Sequence, residues 1–283
     1  MKNYLSLIKF SHTIFALPFA LIGYFLAIEY STYSFDAILL LKVVLCMVLA
    51  RSAAMAFNRY IDRDIDLANE RTAKVREIPN GSINAKSALI FVIVNSILFV
   101  TTTYFINEIC FYLSPVALLV ILGYSLTKRF TALCHLILGI GLSLAPIGAY
   151  LAVTGSFAWL PLYFSFAVLF WVAGFDMIYS LQDEEFDKEM GLNSIPAKIG
   201  KRATLNLSIL FHTITAGYLL SAAYQASAGI LFWIGTFIFI ALLVYQHLLV
   251  KPNDLSKVNL AFFTTNGIAS LVFSFFVILS FYL

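Results

Sequence analysis

The chain has 283 residues, of which 61% are hydrophobic and only 12% are charged, and its mean hydropathy is +0.91. Because soluble domains carry about 25% charged residues, this composition excludes a soluble globular protein and indicates an integral membrane protein. A formal net charge of +3 is too small to indicate a nucleic-acid partner. The three cysteines form no CxxC pair and are expected to be buried, unreactive thiols.

Nine apolar stretches follow one another along the chain. Each is long enough for a transmembrane helix, since a hydrocarbon core about 30 Å thick needs about 20 apolar residues. The first stretch is too long for a cleavable signal peptide, and no small-residue cleavage site follows it. We therefore predict an all-α, polytopic membrane protein that forms a single domain. The predicted spans are 10–28, 36–57, 87–106, 110–126, 135–154, 158–180, 204–224, 228–250 and 259–283.

Basic residues are distributed unevenly between the loops. The hairpins after the first, third, fifth and seventh spans contain no Lys or Arg, while the N-terminus and the alternate loops contain nearly all 18 of them. Because cytoplasmic loops are enriched in Lys and Arg, the N-terminus is predicted to be cytoplasmic and the C-terminus to lie outside. An odd number of spans agrees with this topology, and the lipid bilayer is the first expected partner.

Acidic residues concentrate in two loops on the predicted cytoplasmic side, after the second and sixth spans. These loops, with the helix ends that lead into them, contain eleven of the 15 Asp and Glu residues. The two loops also show a weak internal repeat, which predicts a duplicated four-helix unit, roughly 10–126 and 135–250, plus a ninth helix. At an offset of 121 residues, Asn58 matches Tyr179, Asp62 matches Asp183, and Asp66 matches Asp187.

Each acidic loop contains two aspartates spaced i, i+4, which places both carboxylates on one face of a helical end. The pairs are Asp62 with Asp66 and Asp183 with Asp187. Four converging carboxylates repel one another unless cations lie between them, and they suit Mg²⁺, which prefers oxygen ligands and shares them with substrate phosphates. A single pair would more simply be a set of solvated loop charges, but two pairs at a repeat offset favour a metal site.

Asp176 lies inside the sixth predicted span, where an ionisable group is a functional candidate. Its spacing from Tyr179, Asp183 and Asp187 forms one helical stripe that leads to the second acidic pair. The simpler alternative is a buried Asp paired with a neighbouring hydroxyl or Lys.

Basic residues accompany the acidic pairs. Carboxylates for a metal, together with cations for phosphate oxygens, indicate a diphosphate site. Each cation taken alone is equally well explained by the positive-inside pattern or by lipid headgroups. The candidates are Arg63 beside Asp62, Arg71 after the first pair, and Lys128 and Arg129 in the next loop on that side.

Three motifs together resemble those of the UbiA superfamily of membrane prenyltransferases. The stretch NRYIDRDID, residues 58–66, is similar to the family's NDxxDxxxD, except that Arg59 replaces the first Asp. The second motif, QDEEFD at 182–187, is preceded by Asp176 and Tyr179 in the family's DxxYxxxD spacing. The YSLTK stretch, residues 124–128, matches the short YxxxK motif. Further similar stretches, including KFSHTIFALPFA at the N-terminus, extend the resemblance to essentially the whole chain.

The resemblance implies a nine-helix bundle around a central cavity capped by cytoplasmic loops, and transfer of a polyprenyl group from polyprenyl diphosphate to an aromatic acceptor. Mg²⁺ would be held by Asp62, Asp66, Asp183 and Asp187. The diphosphate would be bound by Lys128, with Arg63, Arg129 and Arg71 as further candidates. Asn58, Tyr124 and Tyr179 would shield the carbocation or orient the acceptor, and Asp176 completes the expected catalytic set.

The stretch at 143–157 and the second motif look like the bacterial 4-hydroxybenzoate polyprenyltransferase-like branch, which implies an enzyme of the inner membrane. The expected acceptor is 4-hydroxybenzoate or a hydroxynaphthoate, in ubiquinone or menaquinone biosynthesis. A haem farnesyltransferase-type acceptor is the alternative within the family, and an ion-coupled transporter is the alternative class.

Overall fold

The computed structural model describes residues 2–9, 13 and 15–283, and of Lys2 only the backbone. This part of the chain is built from helices and contains no named strand, in agreement with the predicted all-α class. The helices are α1 (Lys2–Leu7), α2 (Leu17–Glu29), α3 (Ala37–Ile61), α4 (Arg63–Ala68), α5 (Glu70–Ala73), α6 (Ala85–Tyr104), α7 (Glu108–Thr127), α8 (Cys134–Thr154), α9 (Trp159–Ser180), α10 (Glu184–Glu189), α11 (Ile195–Gln225), α12 (Ile230–Leu249) and α13 (Asn266–Leu279).

Eight helices within the described residues are long and apolar enough to cross a membrane, and α2 is a shorter apolar helix of 13 residues. These helices confirm the predicted polytopic architecture. The first span was predicted to begin at Phe10, but Phe10 and the nearby His12 lie outside the described residues. The remaining predicted spans each coincide with a helix, although several ends differ.

The largest difference is the start of α11, which begins at Ile195 and not near residue 204 as predicted. Ser194 caps this helix by accepting a hydrogen bond from the Ala197 backbone N–H, and Pro196 suits its first turn. Gly200, with φ of +77°, then breaks the helix, a conformation that glycine adopts readily. This segment does not form part of an apolar run, because it contains Lys198, Lys201 and Arg202.

The last span also departs from a simple helix, because a π-helical turn, Leu260–Thr265, precedes α13. Asn266 stabilises this turn: its side-chain nitrogen donates to the carbonyl oxygens of Ala261 and Phe262, each at 2.9 Å. Its Oδ1 accepts a hydrogen bond of 2.7 Å from the buried indole of Trp171 in α9. The buried amide thus has partners on both sides, as buried polar groups in a membrane require.

Helix α9 is the centre of the bundle and packs mainly against α8 and α11. Close approach of the helices depends on glycines, as is common in membranes. A Cβ atom on Gly139 would lie 2.3 Å from the carbonyl oxygen of Leu169, and one on Gly23 would lie 2.0 Å from that of Pro146. By contrast, α6 and α7 present large exposed apolar residues, such as Ile97 and Leu119, in the manner of lipid-facing surfaces.

The two acidic loops emerge at the end of the bundle where α3, α7 and α9 end, which we call the motif face. The short helices that follow the acidic motifs have matching bounds, since α4 (Arg63–Ala68) and α10 (Glu184–Glu189) are related by the same offset of 121 residues. Asp62 and Asp183 each immediately precede one of these helices. The duplication of a four-helix unit across the whole chain stays a prediction.

Candidate active site

The first acidic motif is buried at the end of α3. Asp62 and Asp66 are only 2% and 5% exposed, although both lie outside the apolar part of the helix. The Asn58 side chain donates a 2.9 Å hydrogen bond to Asp62 Oδ2. Arg59, which replaces an Asp of the family motif, donates at 3.0 Å to Asn58 Oδ1. Arg59 therefore supports the motif from the side and supplies no metal ligand.

Basic side chains from other segments approach the first motif. Lys128, directly after α7, places Nζ 2.8 Å from Asp62 Oδ2. Arg129 lies 3.6 Å from Asp62 and 3.2 Å from Asp64, and Arg76 lies 3.6 Å from Asp66. Lys128 and Arg129 are more than 60 residues along the chain from the aspartates that they contact, whereas Arg76 belongs to the loop of the first motif.

The second motif is joined to the loop of the first. Arg71 donates from Nε to Asp183 Oδ1 at 3.1 Å, from a terminal nitrogen to Oδ2 at 2.5 Å, and from its other terminal nitrogen to the Tyr179 hydroxyl at 3.1 Å. Asn69 donates to Asp183 Oδ1 at 3.1 Å. These bonds hold the two loops against each other, and Lys128 lies within electrostatic range of both Asp66 and Asp187.

Two residues that were expected in the site, Arg63 and Asp176, lie apart from this cluster of acidic and basic side chains. Arg63 turns away from the acidic groups: it donates to the Tyr60 carbonyl oxygen at 2.6 Å and its guanidinium lies 4.7 Å from the centre of the Tyr60 ring. Asp176 lies deeper than the acidic pairs and contacts His135 at 2.7 Å. The structure thus does not bring Arg63 into the cluster, whereas it gives Asp176 a partner that its spacing did not reveal.

The electrostatics of the first motif reflect its burial. Loss of solvent raises the pKa of Asp66 to about 6, although the charges of Arg59 and Lys128 act to lower it. Asp64 is exposed and its hydrogen bond with Arg129 lowers its pKa. A buried carboxylate with a raised pKa is stabilised in its charged form when a cation lies beside it.

The residues present fit a divalent cation such as Mg²⁺. Asp62 Oδ1 and Asp66 Oδ2 are buried and accept no hydrogen bond from any described residue. Carboxylate oxygens that accept no hydrogen bond are available as ligands, and Mg²⁺ prefers oxygen ligands. In the described part of the chain, no three Asp, Glu, His or Cys side chains are already close enough to form a metal site. Basic side chains occupy the neighbourhood of these carboxylates in this structure.

An apolar cavity of about 400 Å³ extends through the bundle between α2, α3, α7 and α8. At the motif face it begins at Tyr124, whose hydroxyl is within electrostatic range of Arg59, Asp62 and Asp176. Near the opposite face it reaches Cys110 and Phe157. With a rise of about 1.5 Å per residue along α7, the lining from Cys110 to Tyr124 is about 21 Å long. The cavity has the polarity and length for a prenyl chain.

Arg51 is a functional candidate that sequence analysis did not single out. Among the described residues that line the cavity it is the one charged side chain, and its Nε is buried without a hydrogen-bond partner. It lies two helical turns before Asn58 on α3 and within electrostatic range of Tyr124. A lone Arg within an apolar span was the available signal.

Comparison with known proteins gives this arrangement its context. The profile of the UbiA prenyltransferase family matches residues 16–268. The chain belongs to the UbiA prenyltransferase family. The solved apo structure of a UbiA homologue from Aeropyrum pernix K1 superposes with a TM-score of 0.85, at 30% identity over 95% of this chain and 97% of the other.

Two further UbiA-family proteins are informative. The 4-hydroxybenzoate octaprenyltransferase of Nitrosospira multiformis is 28% identical over 236 residues, which cover 83% of this chain and 81% of that protein. A UbiA homologue from Archaeoglobus fulgidus, solved with GPP and Mg²⁺, shares the fold with a TM-score of 0.75, at 22% identity over 99% of this chain and all of that chain. The family, the membrane bundle and the assignment as a prenyl-transferring enzyme are thereby confirmed.

Proposed function

We propose that this protein transfers a polyprenyl group from polyprenyl diphosphate to an aromatic carboxylic acid, 4-hydroxybenzoate or a hydroxynaphthoate, in ubiquinone or menaquinone biosynthesis. The observation that carries this proposal is the position of Arg51 in the apolar cavity, beside Tyr124 and below the acidic motifs. The 4-hydroxybenzoate octaprenyltransferases among the relatives support the same class of acceptor.

Arg51 provides the recognition element for a carboxylate. A buried guanidinium is unfavourable unless an anion pairs with it, and within the described lining no acidic side chain does so. Its planar guanidinium can donate two parallel hydrogen bonds to one carboxylate, which is a bidentate pair. An aromatic acid bound by Arg51 would place its ring beside Tyr124, at the end of the cavity nearest the diphosphate site.

The motif face provides the diphosphate site. Asp62, Asp66, Asp183 and Asp187 would hold Mg²⁺, as the neighbour solved with GPP and Mg²⁺ supports. Bound Mg²⁺ would neutralise diphosphate oxygens and thereby stabilise the leaving group. Lys128, Arg129 and Arg71 contact aspartates in this structure and would exchange those contacts for the diphosphate and its metal.

The cavity protects the reaction from water. An allylic cation formed at the motif end would face Tyr124 and Tyr179, and the aromatic faces of such residues stabilise positive charge. The Tyr179 ring is held by Phe262, with ring centres 4.3 Å apart, and by the hydrogen bond from Arg71. Asn58 is fixed between Arg59 and Asp62 and would orient groups at the same boundary. The apolar lining excludes water that would otherwise capture the cation.

The decisive experiment compares two variants of the same helix. Membranes containing the protein are incubated with Mg²⁺, a labelled polyprenyl diphosphate, and 4-hydroxybenzoate or 1,4-dihydroxy-6-naphthoate. We expect a prenylated product from one acid, and Arg51→Gln should raise the KM for that acid by about 10- to 100-fold, because a charge-assisted pair is lost. Lys42→Gln is the matched control, since Lys42 lies at the other end of α3 and donates to the Phe105 carbonyl oxygen.

Product formation with equal KM in the wild type and in Arg51→Gln would overturn the role of Arg51. Absence of product with both acids, in membranes that bind the diphosphate, would move the proposal to a haem-type acceptor. Solute flux without any prenylated product would favour the transporter.

We also infer that the protein lies in a bacterial inner membrane with the motif face in the cytoplasm, because the motif-face loops carry most Lys and Arg residues. Single cysteines at Ser82 and Ser156, both exposed and on opposite faces, test this in a variant without the native cysteines. In intact cells, a membrane-impermeant thiol reagent should label position 156 and not position 82. The reverse pattern would contradict the orientation.

A further inference from the structure

His135 lies in the first turn of α8 and is only 3% exposed. Its Nδ1 is 2.7 Å from Asp176 Oδ2, and the backbone N–H of Ile195 points to its Nε2 at 3.4 Å. A neutral ring that accepts this N–H at Nε2 carries its proton on Nδ1 and donates it to Asp176. Both nitrogens of His135 are therefore occupied, and the ring itself has no free atom for a substrate.

The imidazole joins three helices at the motif face. Ile195 begins α11, directly after the loop that follows the second acidic motif. The same loop is attached to the candidate diphosphate site, since the Asn193 N–H donates to the Lys128 carbonyl oxygen at 2.7 Å. His135 thus fixes Asp176 of α9 relative to the segment that carries Lys128. A ring held on both sides restricts the carboxylate to one orientation.

The second oxygen of Asp176 remains available. Within the described chain Oδ1 makes no hydrogen bond, and the side chain is 24% exposed although it belongs to a span. Asp176 lies within electrostatic range of Tyr124, which lines the motif end of the cavity. A carboxylate oxygen without a donor at this depth is suited to accept a hydrogen bond from a bound molecule.

We propose that His135 is a positioning residue that orients Asp176, so that Asp176 Oδ1 accepts a hydrogen bond from the ring hydroxyl of the acceptor. This inference rests on the proposed function. With Arg51 at the carboxylate and Asp176 at the hydroxyl, the ring is held at two points, which sets the carbon that faces the prenyl group. A hydrogen bond from the hydroxyl to a carboxylate also increases the electron density of the ring.

Two amide variants separate this role from simple packing. In His135→Asn, the side-chain amide N–H lies where Nδ1–H was and can still donate to Asp176. In His135→Gln, the longer side chain places its amide nitrogen near the former position of Nε2, so the hydrogen bond to Asp176 is lost. We expect His135→Asn to keep kcat/KM for the acceptor within about fivefold of the wild type. We expect His135→Gln to lower it about 100-fold, because the reacting groups are no longer aligned.

The diphosphate half of the reaction serves as the internal reference. The Kd for an unreactive polyprenyl thiodiphosphate, measured in the presence of Mg²⁺, should change less than twofold in both variants. Asp176→Asn removes the carboxylate that is proposed to accept the hydrogen bond from the aromatic acid, so it should reproduce the loss expected for His135→Gln. This second variant keeps the test valid if His135→Gln does not accumulate in the membrane. Parallel losses of thermal stability, diphosphate binding and turnover in both His135 variants would overturn the proposal, as would equal activity of Asn and Gln.

Failure of the underlying function has a different signature. If the wild type makes no prenylated aromatic acid, the proposed function fails, whatever the variants do. If the wild type is active and His135→Gln matches it, the function stands and the positioning role is overturned.

Discussion

Arg71 and Asp183, which are 112 residues apart, form a bidentate ion pair that joins the two acidic loops. The Arg71 guanidinium also donates to Tyr179, one turn earlier on α9. The second acidic motif is therefore already paired with a cation from the loop of the first motif. A bound metal and diphosphate would compete for the same carboxylate, so Arg71 is expected to change partners during turnover.

Replacement of Arg71 by Lys tests this exchange. Lysine keeps the charge but cannot form two parallel hydrogen bonds, so the KM for polyprenyl diphosphate should rise by about tenfold while the KM for the acceptor changes little. Initial rates at varied diphosphate concentration measure the effect. Arg202→Lys, at an exposed position after Gly200, is the matched control. An unchanged KM in Arg71→Lys would show that the pair with Asp183 has no part in diphosphate binding.

Asp183→Asn should abolish Mg²⁺-dependent transfer, with a loss of about 10³-fold or more, because a neutral amide neither attracts the metal nor balances its charge. The assay is product formation over a range of Mg²⁺ concentrations. Asp254→Asn provides the comparison, since Asp254 is exposed in the turn after α12 and bonds only locally to Ser256. Transfer by Asp183→Asn within tenfold of the wild type would remove Asp183 from the metal site.

The cavity predicts that the effect of a substitution in its lining on kcat/KM depends on the length of the prenyl donor. Ala117→Trp places a large ring into the lining at the middle of α7, so it should reduce kcat/KM for a long polyprenyl diphosphate at least about tenfold and affect dimethylallyl diphosphate much less. Leu119→Trp is a control on the same helix, because Leu119 is exposed on the outer surface. Equal losses with long and short donors would show that the tail does not occupy this cavity.

The close packing of α8 and α9 at Gly139, away from the site, predicts that a side chain at this position destabilises the protein. A methyl group there would lie 2.3 Å from the Leu169 carbonyl oxygen, so Gly139→Ala should push α8 from α9 and lower the free energy of unfolding by about 1–3 kcal/mol. Thermal unfolding in detergent measures this change. A Cβ on Gly123 would meet nothing within 4 Å, and Gly123→Ala should be neutral or slightly stabilising. Similar melting temperatures for both variants would contradict the close packing of α8 and α9.

The sequence by itself determined the membrane class, the spans and the acidic motifs. About 20 apolar residues are needed to cross a bilayer, so most helices can be read from local composition, and α3 and α9 lie close to their predicted bounds. The i, i+4 spacing of the aspartates and the resemblance in the motifs are likewise local features. The family and the transferase assignment followed from them.

The tertiary structure alone decided which distant residues meet. The contacts of His135 with Asp176 and of Arg71 with Asp183 join residues 41 and 112 positions apart, and no local spacing encodes them. The orientation of Arg51 into the cavity depends on how α3 is rotated against α7 and α8, which is set by the packing of the whole bundle. The sequence names the polar residues of these spans, but only the packed helices determine which polar groups become partners in a medium without water.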